Sequence, residues 1–151
     1  MMLRTFSFYL ALLILAGCQS ADPGSEFAIK PAWKQKVAGL THYSLANGFN
    51  IWVQDSPIVT GTDIKQAWYV TDTLENPAVM VEFDAAGTAR MSQFSSGHLS
   101  QPLAVFVQDE LISAPLVIGT LGSEYMIMGI GSKAQAEQFI RHHQADPGAS
   151  D

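Results

Sequence analysis

The sequence predicts an α+β fold: a two-layer sandwich with a mainly antiparallel sheet and two principal helices. Three observations lead there. Residues 102–115 read PLAVFVQDELISAP, two short, apolar, β-rich runs so close together that only a hairpin over Gln108 to Glu110 can join them. A second pair, Ala67 to Thr73 and Ala78 to Asp84, flanks Glu75-Asn76-Pro77. In its second strand Val79, Val81 and Phe83 alternate with Met80, Glu82 and Asp84, the pattern of a half-buried strand. Strands that come in hairpin pairs, rather than singly between helices, disfavour a doubly wound parallel sheet.

Taken in order, the chain opens with MMLRTFSFYLALLILAGCQS: one positive charge, an apolar run from Phe6 to Ala16, then small residues. That run has the length of a signal h-region and falls short of a bilayer span. Residues 1–17 are therefore expected to be an export signal. Leu15-Ala16-Gly17-Cys18 resembles the lipobox of bacterial lipoproteins, and the resemblance implies that Cys18 carries acyl chains after cleavage. Two or three such chains hold a protein on a membrane, where one alone is marginal. The alternative is an ordinary cleavable signal with a chance cysteine. Gln19 replaces the aspartate that retains many such lipoproteins in the inner membrane, so the resemblance favours the outer membrane over the inner and a domain facing the periplasm.

Residues 18–40 are read as a lipidated tether and arm. QSADPGSE is polar and rich in breakers, and Phe27 to Gly39 is either a short helix docked on the domain or an irregular arm. The folded domain is expected over residues 41–144, with a disordered tail at 145–151. It begins with a hairpin, THYSL and FNIWV around Ala46-Asn47-Gly48, since Asn-Gly accepts positive φ. Thr60-Gly61-Thr62-Asp63 is a turn or one helical turn.

Asp84 caps a first helix over Ala85 to Ser96, stopped by Gly97, with Ala86, Ala89, Gln93 and Phe94 on its packing face and Phe94 as anchor. A strand at Glu124 to Gly129 follows a turn at Leu121-Gly122-Ser123. The last helix runs from Lys133 to about His143, with Ser132 and Gln135 as a capping box and Ala136, Phe139 and Ile140 on one face. Val79, Val81, Phe83, Phe94, Leu103, Val105, Val107, Ile127, Phe139 and Ile140 are the expected core.

Composition excludes some partners. The net charge is −6, and removal of Arg4 with the signal takes it to −6 − 1 = −7, which disfavours nucleic acid and anionic headgroups. The single cysteine forms no disulfide within the chain.

Residues 58–67 (IVTGTDIKQA), 76–91 (NPAVMVEFDAAGTARM), 102–117 (PLAVFVQDELISAPLV) and 122–139 (GSEYMIMGIGSKAQAEQF) resemble the periplasmic head subdomain of the SecD protein-export subunit. In that family a strand pair, a helix, a hairpin ending in Ser-Ala-Pro and a final strand and helix recur in this order. Ser113-Ala114-Pro115 is the most specific mark. The hairpin tip departs from the family: Gln108-Asp109-Glu110 stand where an acidic residue is usually followed by a small one. SecD also has a periplasmic base and membrane helices that couple proton flow to translocation. Nothing in these residues matches them, so proton-driven translocation is not carried over. The resemblance implies a domain that contacts exported polypeptide or an envelope protein partner.

No enzyme is expected. His42, His98, His142 and His143 make no metal spacing with one another or with Cys18, and no Gly-x-Ser-x-Gly elbow occurs. Gly129-Ile-Gly131-Ser-Lys-Ala134 mimics a dinucleotide fingerprint, but no second strand follows to complete the unit. It is read as a tight strand-to-helix turn, with no nucleotide, other cofactor or metal. Trp68 and Tyr69 point to opposite faces of their strand, so one is core and the other a contact. Three functions of different class remain: a polypeptide- or partner-binding lipoprotein, a structural accessory of an envelope complex, and a hydrolase or cofactor enzyme. Binding is preferred, at the sheet edge and hairpin tip formed by Gln108, Asp109, Glu110, Ile112 and Ser113, because an open edge offers unpaired backbone groups to an extended segment.

Overall fold

A computed structural model describes residues 26–144. The export signal, Cys18 and the tail at 145–151 lie outside the described residues. The elements are β1 (Phe27–Trp33), β2 (Thr41–Ser44), β3 (Asn50–Val53), β4 (Val59–Thr60), a 3₁₀ turn at Gly61–Asp63, β5 (Ile64–Thr71), β6 (Pro77–Phe83), α1 (Ala85–Gly97), β7 (Leu103–Val107), β8 (Glu110–Ser113), β9 (Glu124–Ile127) and α2 (Lys133–His143). Two helices over antiparallel sheet give the expected α+β sandwich.

The strands form two sheets where one was expected. The larger runs β2-β3-β1-β7-β8, with β4 also on β1, and the smaller runs β5-β6-β9. Every pairing is antiparallel. The main core lies between the sheets and helices, where Phe27, Ile29, Leu103 and Val105 meet Val79, Val81, Phe83, Met91, Phe139 and Ile140. A smaller cluster, Ala32, Ile51, Val53, Ala104 and Phe106, covers the other side of the larger sheet.

The stretch from Phe27 is neither a helix nor an irregular arm. It is the strand at the centre of the larger sheet, paired with β7 from Phe27↔Val107 to Pro31↔Leu103. Pro31 obscured it, because proline gives no donor to a ladder. The carbonyls of Ile29 and Pro31 accept from Ile58 and Gln54 at 2.8 and 3.0 Å, so odd residues of β1 face β3 and β4. The missing N–H of Pro31 thus falls in the gap between those two strands, where no donor is needed.

Other turns follow the sequence closely. In the β2–β3 hairpin Gly48 takes φ 80 and donates to the Leu45 carbonyl at 2.8 Å. Asp72 organises the β5–β6 turn: its Oδ1 accepts from the backbone N–H of Leu74 and Asn76 at 2.8 and 2.9 Å. Asp84 caps α1 by accepting from the Gly87 N–H at 2.7 Å. At α2, Ser132 accepts from the Gln135 N–H at 3.2 Å, and the Gln135 side chain returns to the Ser132 hydroxyl rather than to its backbone.

The packing face of α1 differs from expectation. Gly87, Met91 and Ser95 are buried, whereas Ala86, Ala89 and Gln93 are exposed. A side chain at Gly87 would press on the Cβ atoms of Asp63 and Phe83 at 3.0 and 3.2 Å, so a glycine marks the contact line. Met91 is the anchor. Phe94 and Val107 are half-buried, packed against the core rather than within it.

Candidate functional site

A two-residue turn sets the geometry of the β7–β8 tip. Gln108 and Asp109 both lie in the left-handed region, at φ 52 and 62, which matches the twist of a hairpin loop of this length. Glu110 already belongs to β8. The tip is tied down, since the Gln108 N–H donates to the Glu26 carbonyl at 2.8 Å. Gln108, Asp109 and Glu110 are exposed, and Ile112 and Ser113 are half-buried. Ile112 packs against the main core, and its carbonyl oxygen faces Gly129, where a Cβ would come within 2.9 Å. The predicted contact residues therefore divide: three form a solvent-facing tip, while Ile112 and Ser113 line the sheltered part of an edge strand.

Two hollows flank the tip. One, about 60 Å³, lies against α2 and is lined by Glu26, Gln108, Glu110, Gln138 and His142 among others. His142 Nδ1 stands 3.6 Å from Glu26 Oε2 there. The other, about 310 Å³, opens on the opposite side and takes in Lys30, Tyr43, Asp55, Phe106 and Asp109. Lys30 Nζ sits 5.1 Å above the Phe106 ring, a cation held on an aromatic face. Tyr43 meets the same ring edge-on at 5.2 Å. Sequence reading passed over Lys30 because its strand went unrecognised.

Three of the four histidines serve the helices, while His42 stands on β2 within 3.1 Å of Asn50 Oδ1. The Nδ1–H groups of His98 and His143 donate to the carbonyls of Phe94 and Phe139, four residues back, at 2.7 and 2.9 Å. Burial lowers the His143 pKa from its ordinary value, against the pull of the Phe139 carbonyl and the Glu26 charge. Burial likewise pushes the Tyr125 phenol upward, which keeps it protonated. Among the described residues, no group of three or more His, Cys, Asp or Glu side chains is placed to hold a metal. Gly129 and Gly131 take φ 85 and 86 between β9 and α2. Because β9 runs antiparallel to β6, the segment is a strand-to-helix turn and lacks the parallel unit a dinucleotide requires.

Known proteins share this fold. SecD, the protein translocase subunit of Rhodobacter capsulatus, is 32% identical over 65 residues, covering 43% of this chain and 12% of its own length. SecD of Aquifex aeolicus is 27% identical over 77 residues, covering 51% and 15%. The chain thus matches only a small part of these relatives. Among solved structures, SecDF described as a membrane component that enhances protein export superposes with TM-score 0.61 at 15% identity, over 78% of this chain and 61% of that one. SecDF in its Super-membrane-facing form gives 0.61 at 16% identity, over 78% and 18%. At these identities the structures speak for the fold. The family model of the SecDF P1 head subdomain matches residues 38–141, and the chain belongs to that family.

Proposed function

We propose that this protein is a membrane-anchored lipoprotein of the cell envelope, held through Cys18, whose head domain faces the periplasm and binds exported polypeptide or an envelope protein at the β8 edge and hairpin tip. It serves protein export by binding, without catalysis and without proton-driven translocation of its own. Family membership and the relatives' role as translocase subunits support the link to export. Gln19 favours the outer membrane.

The observation that carries the surface is that β8 ends the larger sheet. In a hairpin with a two-residue loop, the residues flanking the loop exchange both hydrogen bonds and the next pair turns its peptide groups outward. Here the flanking pair is Val107↔Glu110 and the next is Phe106↔Leu111, so the N–H and C=O of Leu111 face away from β7. An extended segment adds there through main-chain bonds that read little sequence, as a protein handling many exported chains needs. Gly129 stands beside the Ile112 carbonyl and limits the edge, so the exposed side chains at Gln108 to Glu110 contribute the rest of the contact.

Site-specific photo-crosslinking in living cells from Gln108, Glu110 and Ile112 tests this reading. A spread of exported proteins among the adducts is expected. Adducts to one defined protein would instead favour an accessory subunit, and efficient adducts from Trp52 or Tyr69 with none from the tip would overturn the surface. Anchoring is tested separately: Cys18→Ser should release the protein from membranes or stall it as a precursor, and mass spectrometry of an unmodified Cys18 on a soluble native chain would remove the anchor.

A further inference from the structure

The outer face of the small sheet carries an apolar surface that the export reading leaves unused. The inward residues Val79 and Val81 belong to the main core with Ala136, Phe139 and Ile140 of α2. Their neighbours point the other way, and the registers align them in three rows. Trp68↔Met80↔Met126 form the middle row, and Val70↔Ala78 with Met128 the row toward the β5–β6 turn. Gln66↔Glu82↔Glu124 form the third. None of the apolar residues in these rows belongs to either core cluster, though Ala78 itself is fully buried. Trp68 is 37% exposed and Met128 42%, while Met80 and Met126 are half-buried. Tyr69, the other member of the Trp-Tyr pair, packs against the core.

We propose that this face docks one amphipathic helix of a partner protein, with a lysine or arginine at the end of the helix's apolar stripe set on Glu124. The dimensions suit a single helix: three strands about 4.8 Å apart make a strip about 10 Å across, the width of one helix with its side chains. The chemistry suits an apolar stripe, because methionine has flexible, polarizable side chains that adapt to a partner's shape.

Charge selects the basic end. Glu82 and Glu124 stand directly opposite each other on adjacent strands, an unfavourable arrangement for like charges. Both Glu82 oxygens are engaged, Oε1 in an ion pair with Lys65 Nζ at 2.9 Å and Oε2 accepting from Gln66 Nε2 at 3.1 Å. Glu124 is exposed and forms no ion pair among the described residues. A cation brought by the partner relieves the repulsion and fixes the helix direction. In a symmetric contact through this face, a second copy of the chain brings only Lys65, which is already paired with Glu82. An anionic membrane surface is repelled by the exposed Glu124 carboxylate.

The test uses the full chain in phosphatidylcholine nanodiscs with a photoreactive residue replacing Met126, and in a parallel preparation replacing Ala86 on the exposed side of α1. The probe is a synthetic helix with a leucine stripe and lysines at one end, compared with the same peptide carrying glutamates there. Adducts are expected from position 126 and not from position 86, about tenfold fewer with the glutamate peptide, and similarly fewer when Glu124→Lys is introduced, the scale of one well-placed charge contact. Trp68→Ala should also lower the yield while thermal unfolding stays close to that of the parent. Equal yields from positions 126 and 86, or no preference for the lysine peptide, would overturn the proposal. So would adducts from position 126 that are mainly lipid or a second copy of the chain.

Discussion

The Phe27 ring meets the Phe139 ring edge-on, with centroids 5.6 Å apart and planes at 83°. It also stacks on Phe83 at 6.4 Å, so one residue at the start of β1 joins α2 to the small sheet. Phe27→Ala would leave a cavity at the centre of the core, a loss of about 3–5 kcal/mol. Urea unfolding should show this as a large fall in midpoint at unchanged slope. A fall no larger than that of an exposed substitution would mean that β1 is dispensable.

His143 makes stability depend on pH. Its Nδ1–H is used by the Phe139 carbonyl, which leaves Nε2 as a buried acceptor with no partner. Burial, the largest influence, lowers its pKa below 6.5; the Phe139 carbonyl and Glu26 oppose this, and His142 adds to it. The folded chain therefore takes up this proton less readily than the unfolded chain. As pH falls below about 6.5 the unfolded state binds more protons, and stability should decline until the lowered folded pKa is passed. His143→Leu should remove that component. The check is the difference between unfolding midpoints at about pH 7.5 and about pH 5, which should be smaller in the variant; equal differences would assign the effect to other groups.

Gly129 and Gly131 should respond unequally to alanine. Both have positive φ, so each substitution costs about 1–2 kcal/mol of backbone strain. At Gly131 the new Cβ meets the flexible Gln135 side chain, but at Gly129 it meets the Ile112 backbone. Gly129→Ala should therefore lower the melting temperature more, and should also disturb β8. Comparable shifts would show that the Ile112 contact yields easily.

Local chemistry was legible wherever a few adjacent residues decide the structure. Asp84, Ser132, Gly48 and the 3₁₀ turn at Gly61–Asp63 announce themselves through caps and turns. Misreadings arose where the deciding contact is distant. Pro31 is permitted in β1 only because β3 and β4 leave a gap beside it, and Gly87 faces inward only because β6 and Asp63 approach so closely. Division into two sheets was likewise invisible, since local alternation says that a strand is half-buried and not which partner covers it. At the candidate site, the tip was legible from its apolar flanks, while the sheltering of Ile112 by Gly129 depends on a turn 17 residues away.

The hairpin tip allows stability and binding to be separated. Gln108 and Asp109 occupy left-handed positions that Asn and Gly fill with less strain, so Gln108→Asn with Asp109→Gly should stabilise the protein by about 1 kcal/mol. The change removes one exposed carboxylate but keeps the Val107↔Glu110 pair and the outward peptide groups of Leu111. If extended polypeptide adds to the β8 edge through its main chain, crosslinking from position 112 should persist at near parental yield in the stabilised variant. Loss of those adducts alongside the rise in stability would place recognition in the tip side chains and reject main-chain addition at β8.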